Sequence, residues 1–173
     1  NGPAGWGAAS PAWASCGTGT QQSPVNIPTA APRGGAPLVW ANVPIRATLR
    51  NTGHTLQADF DGAEELVLDG TRYTLAQVHL HAASEHTIDG ANAPAEAHFV
   101  HRSATGALAV VGVMLHAGAA NAAWTELLAA APGKTGDTRP VAAPVSLQRL
   151  LPASRGHWRY AGSLTTPPCS EGV

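Results

Sequence analysis

Three histidines are the residues of this chain best suited to chemistry. His79 and His81 stand two apart within residues 77–81, and His98 lies within residues 96–100. Alternate residues of a strand point to the same face, so His79 and His81 would enter one cavity together, and a neighbouring strand could add His98. Three imidazoles with a fourth position left open form the ligand set of a catalytic zinc ion, not of a structural one. The spacing therefore predicts a zinc enzyme.

Both histidine segments carry a hydrogen-bonding side chain two residues before a candidate ligand. Gln77 precedes His79, and Glu96 precedes His98, each on the same face of its predicted strand as the histidine. A metal-bound imidazole needs its other ring nitrogen held, because this fixes the tautomer and the ring orientation. Gln77 and Glu96 are therefore predicted to hold two of the ligands from behind.

Glu85 follows His81 by four residues, and the residues leave two roles open for it. A carboxylate outside the ligand set could orient a bound hydroxide through an intervening hydroxyl group. Alternatively, Glu85 is a fourth ligand, as in the cupin metal motif, in which His-x-His is followed after three or four residues by Glu. Because similar sites occur on unrelated folds, this segment alone does not decide between the two.

The elements that must position these side chains are predicted to be strands. Period-two or apolar runs of strand length recur between residues 38 and 115, separated by turn sequences such as Asp61-Gly62 and Asp89-Gly90. The predicted strands are 45–49, 55–60, 65–68, 72–75, 76–81, 95–102 and 108–115. Short strands without intervening helices favour antiparallel pairing. We predict a mainly β (α+β) fold with a large, twisted, mostly antiparallel central sheet and a few short helices.

The remaining segments predict little regular structure and one domain. A helix is predicted after Asn121, a good N-cap residue, and a shorter helical turn at 145–151. The opening segment 1–37 is rich in Gly, Ala, Ser and Pro and is predicted to be irregular. No composition shift marks a linker, so residues 1–173 are predicted to form a single domain.

Composition excludes some classes of partner. The net charge of −1 gives no reason to expect nucleic acid or an anionic membrane surface as a partner. No apolar run approaches the ~20 residues that span a bilayer. Cys16 and Cys169 are the only cysteines. Either they form a disulfide, which implies an oxidising compartment, or they are two free buried thiols.

Six segments, taken together, resemble the signatures of the α-class carbonic anhydrases. They are QSPVNI at 22–27, NTGH at 51–54, QVHLH at 77–81, SEHTIDG at 84–90, EAHFVH at 96–101 and YAGSLTTPPC at 160–169. They occur in the order and spacing of that family, and the first, second and last have no counterpart in cupins. The resemblance implies that His79, His81 and His98 bind Zn2+, and that zinc hydroxide converts carbon dioxide reversibly to bicarbonate and a proton. It further implies that His54 is the proton shuttle.

The same resemblance implies roles for further side chains. Thr165 would accept a hydrogen bond from the hydroxide and donate its own to Glu85, which directs the nucleophile at the substrate carbon. The implied substrate-binding residues are Val100, Val110, Leu164, Thr165 and Thr166. The implied supporting residues are Gln77, Glu96 and a buried, hydrogen-bonded pair formed by His86 and Tyr160.

The resemblance also carries expectations about the chain as a whole. It implies a disulfide between Cys16 and Cys169, cis bonds before Pro24 and Pro168, and a periplasmic or secreted protein. The family normally continues beyond the Pro-Pro-Cys motif, so the chain is expected to be a C-terminally truncated copy, and its own activity is left open. The implied partner is a small-molecule substrate, with no nucleic acid and no membrane span, while a homodimer stays open.

One departure and one alternative accompany this interpretation. Thr52 stands where many family members carry asparagine, so water ordering along the proton path is expected to differ. The alternative is a non-catalytic, carbonic-anhydrase-like binding domain. Such domains usually lose a zinc histidine, whereas this chain keeps all three together with Glu85 and Thr165.

Overall fold

The computed structural model describes residues 2–34, 37–62 and 64–173, which divide into two compact units. The first, called here the terminal unit, comprises residues 1–35, 85–92 and 157–173, and the second, the sheet unit, comprises residues 36–84 and 93–156. The predicted irregular segment 1–37 includes Asn1 and residues 35–36, which lie outside the described residues.

Strands dominate the secondary structure. In chain order they are β1 Asn26–Ile27, β2 Val39–Trp40, β3 Arg46–Asn51, β4 Leu56–Asp61, β5 Glu65–Leu68, β6 Thr71–His81, β7 Thr87–Ile88, β8 Ala91–Asn92, β9 Ala95–Ser103, β10 Leu108–Leu115 and β11 Thr138–Pro140. The α-helices are α1 Trp6–Ala9, α2 Ser15–Thr18, α3 Ala122–Leu128 and α4 Leu147–Leu150, and short 3-10 turns cover Pro3–Gly5 and Pro11–Trp13. Across the residues described, no helix is long and apolar enough to cross a membrane.

The sheet unit is built on one eight-stranded sheet. Six strands follow in the order β10-β9-β6-β4-β3-β11, and β5 pairs with both β6 and β2. Every pairing in this sheet is antiparallel. The predicted fold class, a mostly antiparallel sheet with a few short helices, is confirmed.

The long strand β6 contains an irregularity that the sequence did not predict. Two separate strands were expected within Thr71–His81, but the structure has one strand whose register against β9 shifts next to Ala76. An extra residue in a strand reverses which face the following odd-numbered residues occupy. Leu75 therefore lies in the core before the shift, whereas after it Val78 is in the core and His79 is on the opposite face.

The apolar core of the sheet unit lies between one face of the sheet and the helices α3 and α4. Leu49 and Phe99 project from the sheet, and Leu127 of α3 and Leu147 of α4 meet them. Asn121 begins α3 as predicted, since its Oδ1 accepts hydrogen bonds from the first free backbone N–H groups of the helix. The helix predicted after Asn121 and the turn predicted at 145–151 are both confirmed.

His101 is a fully buried member of this core. Its Nδ1–H donates to the carbonyl oxygen of Phe99 at 2.9 Å, and its Nε2 accepts from the indole N–H of Trp40 at 3.4 Å. Burial lowers the pKa of His101 from 6.5 to about 4. The side chain is therefore neutral in the folded protein at pH values where an unfolded histidine is protonated.

We expect His101 to make the folded state acid-sensitive. The unfolded chain binds the proton first, so the free energy of unfolding falls by about 2 kcal/mol between pH 7 and pH 5 from this residue alone. His101→Gln keeps a donor and an acceptor but does not titrate. Urea unfolding of the metal-free proteins at both pH values gives the free energy of unfolding. Its decrease from pH 7 to pH 5 should be smaller in the variant by that amount. Equal losses in the two proteins would contradict this assignment.

The terminal unit holds a small sheet and several short helical turns. Its sheet has the order β1-β7-β8, with β1 parallel to β7 and β7 antiparallel to β8. Residues 3–18 form helical turns, so the prediction of an irregular opening segment is wrong there. Proline supplies the first residue of both 3-10 turns, where a missing N–H costs nothing.

A disulfide fastens the C-terminal segment of the terminal unit. Cys16 of α2 is bonded to Cys169, 153 residues later in the chain, so the implied pairing is confirmed. The expected cis bonds before Pro24 and Pro168 are also present. A third cis bond, Ala82–Ala83, follows β6 directly and was not predicted.

Candidate metal centre

The register of two neighbouring strands brings the three histidines together. His79 of β6 lies directly opposite His98 of β9, and His81 lies opposite Glu96. Residues paired across antiparallel strands share a face, so the three imidazoles project to the same side of the sheet. That side is opposite to the core-facing Phe99.

The three rings form a tight cluster. Their centroids are separated by 4.8 Å between His79 and His81, 5.2 Å between His79 and His98, and 4.5 Å between His81 and His98. One ring nitrogen from each lies within 4.8 Å of those of the other two. His98 is only 3% exposed, while His79 and His81 are half-buried. The cluster is thus open to solvent on the β6 side.

Gln77 holds the ring of His79 from behind. The Nδ1 of His79 lies 2.8 Å from the amide oxygen of Gln77, which can only accept, so Nδ1–H is the donor. The proton on Nδ1 leaves the lone pair on Nε2. His79 therefore presents Nε2 as its ligating nitrogen.

Glu96 does the same for His98 through the other ring nitrogen. The Nε2 of His98 lies 3.0 Å from Oε1 of Glu96, whose carboxylate is 1% exposed. A buried carboxylate requires a donor of this kind, because an unpaired buried charge is costly. With Nε2–H engaged, His98 presents Nδ1 as its ligating nitrogen.

The surroundings of His79 favour its neutral imidazole. Burial, followed by the charges that His98 and His81 would carry, lowers the pKa of His79 to about 4, although Glu96 acts in the opposite direction. Metal ligation requires the deprotonated ring, so His79 has the protonation state of a ligand at neutral pH.

His54 lies on a tight loop that is attached to the histidine strand β6. The loop joins β3 to β4 and exposes the His54 side chain, while its backbone N–H donates to the hydroxyl of Thr52 at 3.3 Å. The hydroxyl of Thr55 bonds the backbone of Leu80, the residue between His79 and His81, donating to its carbonyl and accepting from its N–H. Thr55 therefore attaches the His54 loop to the histidine strand, a role that the sequence analysis missed.

Two valines form an apolar surface next to His98 on the same face of the sheet. Val100 follows His98 by two residues in β9, and Val110 of β10 lies directly opposite Val100. Val110 is 37% exposed and Val100 is half-buried. A small apolar molecule could contact both without displacing a buried side chain.

The other predicted site residues belong to the terminal unit. Glu85, Leu164 and Thr165 are half-buried there, and Thr166 is exposed. The Nε2 of His86 bonds the hydroxyl of Tyr160 at 2.5 Å. Tyr160 is 41% exposed, so the expectation of a buried pair is wrong in that respect.

The segment that carries Thr165 is a fastened hairpin. Ser163 and Glu171 form a bridge across it, and the backbone of Gly162 exchanges two hydrogen bonds with Val173. The backbone of Ser163 also donates to the hydroxyl of Ser23, and the disulfide holds the tip. Thr165 therefore lies on a loop with little conformational freedom.

The donor set fits a zinc ion. Three imidazole nitrogens with two of the rings held from behind leave room for a fourth, non-protein ligand, which is the composition of catalytic zinc sites. Softer metals prefer thiolates, and both cysteines of this chain are in the disulfide. The fold and this cluster together define a candidate metal centre on one face of an antiparallel sheet.

Comparison with known proteins identifies the family. The family described as eukaryotic-type carbonic anhydrase matches residues 1–173. A carbonic anhydrase of Pectobacterium carotovorum is 43% identical over 99% of this chain and 70% of its own length. The chain belongs to the eukaryotic-type, or α-class, carbonic anhydrases, a family of enzymes.

Solved structures agree with this membership. The α-carbonic anhydrase of Thermovibrio ammonificans, in complex with the inhibitor sulfanilamide, superposes with a TM-score of 0.94 at 40% identity, covering 99% of this chain and 77% of that one. A dioscorin complexed with ascorbate superposes with a TM-score of 0.87 at 31% identity, covering 99% and 74%. The cupin interpretation of the histidine segment is therefore wrong.

Proposed function

We propose that this protein catalyses the reversible hydration of carbon dioxide to bicarbonate, with a zinc ion held by His79, His81 and His98. The observation that carries the proposal is the convergence of three imidazoles from β6 and β9, two of them held in a fixed tautomer. Zinc bound there would lower the pKa of a bound water to about 7 and so supply a nucleophile at neutral pH.

Substrate binding falls to the apolar surface beside the ligands. Val100 and Val110 offer a linear, uncharged molecule contact without hydrogen bonds that would have to be broken on release. Leu164, Thr165 and Thr166 complete the proposed set. The backbone N–H of Thr165 would donate to a substrate or bicarbonate oxygen. The neighbouring Thr166 would also contact the substrate.

Orientation of the nucleophile is assigned to Thr165 and Glu85. A threonine hydroxyl has one proton to donate. If it donates that proton to a carboxylate, it can only accept in its other hydrogen bonds, so a bound hydroxide would have to donate to it. The fastened hairpin supports this role, because a positioning hydroxyl is useful only on a rigid loop.

Proton release is assigned to His54. Histidine is the side chain that exchanges protons most readily near neutral pH. The exposure of His54 and the attachment of its loop to β6 through Thr55 support a shuttle between the metal centre and bulk solvent. The Thr52 hydroxyl is occupied by the backbone of this loop, so it stabilises the turn.

Two wider features follow from the same proposal. The match of the family over residues 1–173 supports a single carbonic anhydrase domain. The disulfide supports a periplasmic or secreted location, because disulfides persist in oxidising compartments.

Stopped-flow carbon dioxide hydration tests the function. The zinc-loaded chain should hydrate carbon dioxide, lose this activity when a chelator strips the metal, and regain it when zinc is returned. Hydration that survives complete stripping would contradict the metal centre. If one zinc binds per chain but no hydration occurs, the assignment of the zinc ligands remains valid. That result would favour the alternative, a carbonic-anhydrase-like binding domain.

A further inference from the structure

Gly112 lies in the interior of β10, directly opposite His98 in the register with β9. Glycine weakens a strand interior, since it contributes no side-chain packing and loses more backbone entropy on folding than other residues. Its φ is not positive, so the backbone conformation does not require glycine. The residues two positions away on the same face, Val110 and Met114, have large side chains.

A side chain at this position would meet the carboxylate of Glu96. An ideal Cβ on Gly112 would lie 2.6 Å from Oε1 of Glu96 and 3.8 Å from Cδ2 of His98. Non-bonded heavy atoms prefer separations of about 3.5 Å, so the carboxylate would have to retreat by about 0.9 Å. The displaced atom is the same Oε1 that lies 3.0 Å from Nε2 of His98.

We infer that Gly112 is a positioning residue for the metal centre. Because Gly112 has no side chain, there is space for the Glu96 carboxylate to contact Nε2 of His98 and fix the orientation of that ring. The inference rests on the proposed function, because it takes His98 to be a zinc ligand. Gln77 and Glu96 support the ligands by direct contact, whereas Gly112 supports His98 by leaving space for the contact of Glu96.

The expected consequence of adding a methyl group is local. The atom that must move is the end of a side chain and not backbone, so Gly112→Ala should fold. The carboxylate then stands away from His98, and the orientation of this ligand is lost. Loss of such a supporting contact typically weakens metal binding by about 10- to 100-fold.

A double-mutant cycle tests this mechanism. Zinc affinity, measured by competition with a chelator, should fall by about 10- to 100-fold in Gly112→Ala. In a Glu96→Ala background, the same substitution should cause no further loss, because there is no carboxylate to displace. Gly118→Ala is the matched control, since a Cβ there meets no atom within 4 Å. Equal losses in both backgrounds would overturn the inference.

Two further readouts keep the test decisive. If Gly112→Ala does not fold, the double variant Gly112→Ala/Glu96→Ala should regain folding, and its failure to do so would overturn the inference. In the metal-free protein, the Nε2–H signal of His98 in 15N-edited NMR should respond to Gly112→Ala and not to Gly118→Ala. A wild-type chain that binds no zinc but shows this response would contradict the proposed function and support the role of Gly112.

Discussion

Replacing His98 with alanine is expected to abolish tight zinc binding and to destabilise the metal-free protein at the same time. Zinc sites of proteins contribute ~10–16 kcal/mol, so one of three protein ligands accounts for ~4 kcal/mol, or about a thousandfold in affinity. The second loss arises because Glu96, 1% exposed, keeps its buried charge without the His98 donor. Breaking a buried pair in this way costs about 3–5 kcal/mol.

His79→Ala separates the two effects. His79 is half-buried, and its partner Gln77 is neutral, so this variant should lose zinc to a similar degree while keeping most of the metal-free stability. Zinc competition and urea unfolding of both variants provide the measurement. A third variant, His98→Ala/Glu96→Ala, should recover part of the stability lost in His98→Ala. Metal-free His98→Ala as stable as His79→Ala would refute the account of Glu96.

Removing the hydroxyl of Thr165 is expected to reduce catalysis without loss of the metal. Thr165→Val preserves the shape of the side chain, and the bridge between Ser163 and Glu171 should keep the hairpin in place. Misorientation of a reacting group by about 1 Å costs on the order of 100-fold in rate, so kcat/KM should fall by about that factor while zinc affinity is unchanged.

A cycle with Glu85→Gln distinguishes positioning from general damage. If Thr165 acts through Glu85, the two substitutions together should cost little more than either alone, since residues that act as a unit are not additive. Thr18→Val is a control in the same unit, because the exposed Thr18 hydroxyl donates to the local carbonyl of Ala14. The proposed role would be contradicted if the fold-losses in kcat/KM of the two single variants multiplied in the double variant. A loss of zinc affinity as large as the loss of kcat/KM would also contradict it.

Much of the strand structure was predictable from period-two patterns and short apolar runs bounded by turn residues. The predicted strands 65–68 and 108–115 coincide with β5 and β10, and 95–102 is β9 without its last residue. Strand β10 is a continuous apolar run that follows the turn residue Gly106, whereas in β9 core-facing residues such as Phe99 alternate with polar residues such as His98. Strands β2 and β11 were missed, because two or three residues cannot show a period.

The candidate site was predictable in composition but only partly in geometry. The His-x-His spacing and the residues two positions before each ligand indicated the cluster and the Gln77 and Glu96 contacts. The shift at Ala76 was not predicted, because a bulge has no sequence signature as distinctive as a turn. The exposure of Tyr160 depends on tertiary packing, which a local motif does not encode.

Gly112 illustrates the same limit. Within the apolar run of β10 it is one glycine among many in the chain, and its sequence neighbours give no reason to single it out. Its significance arises only from the cross-strand register that sets it opposite His98, and from the path of the Glu96 side chain. Long-range pairing of this kind is not readable from local periodicity.

The most direct test of the central claim is the location of the metal. Crystals of the zinc-loaded protein, measured on both sides of the zinc absorption edge, should show one anomalous peak per chain, bounded by Nε2 of His79, a ring nitrogen of His81 and Nδ1 of His98. A peak bound by other residues, or no peak in zinc-saturated crystals, would contradict the account.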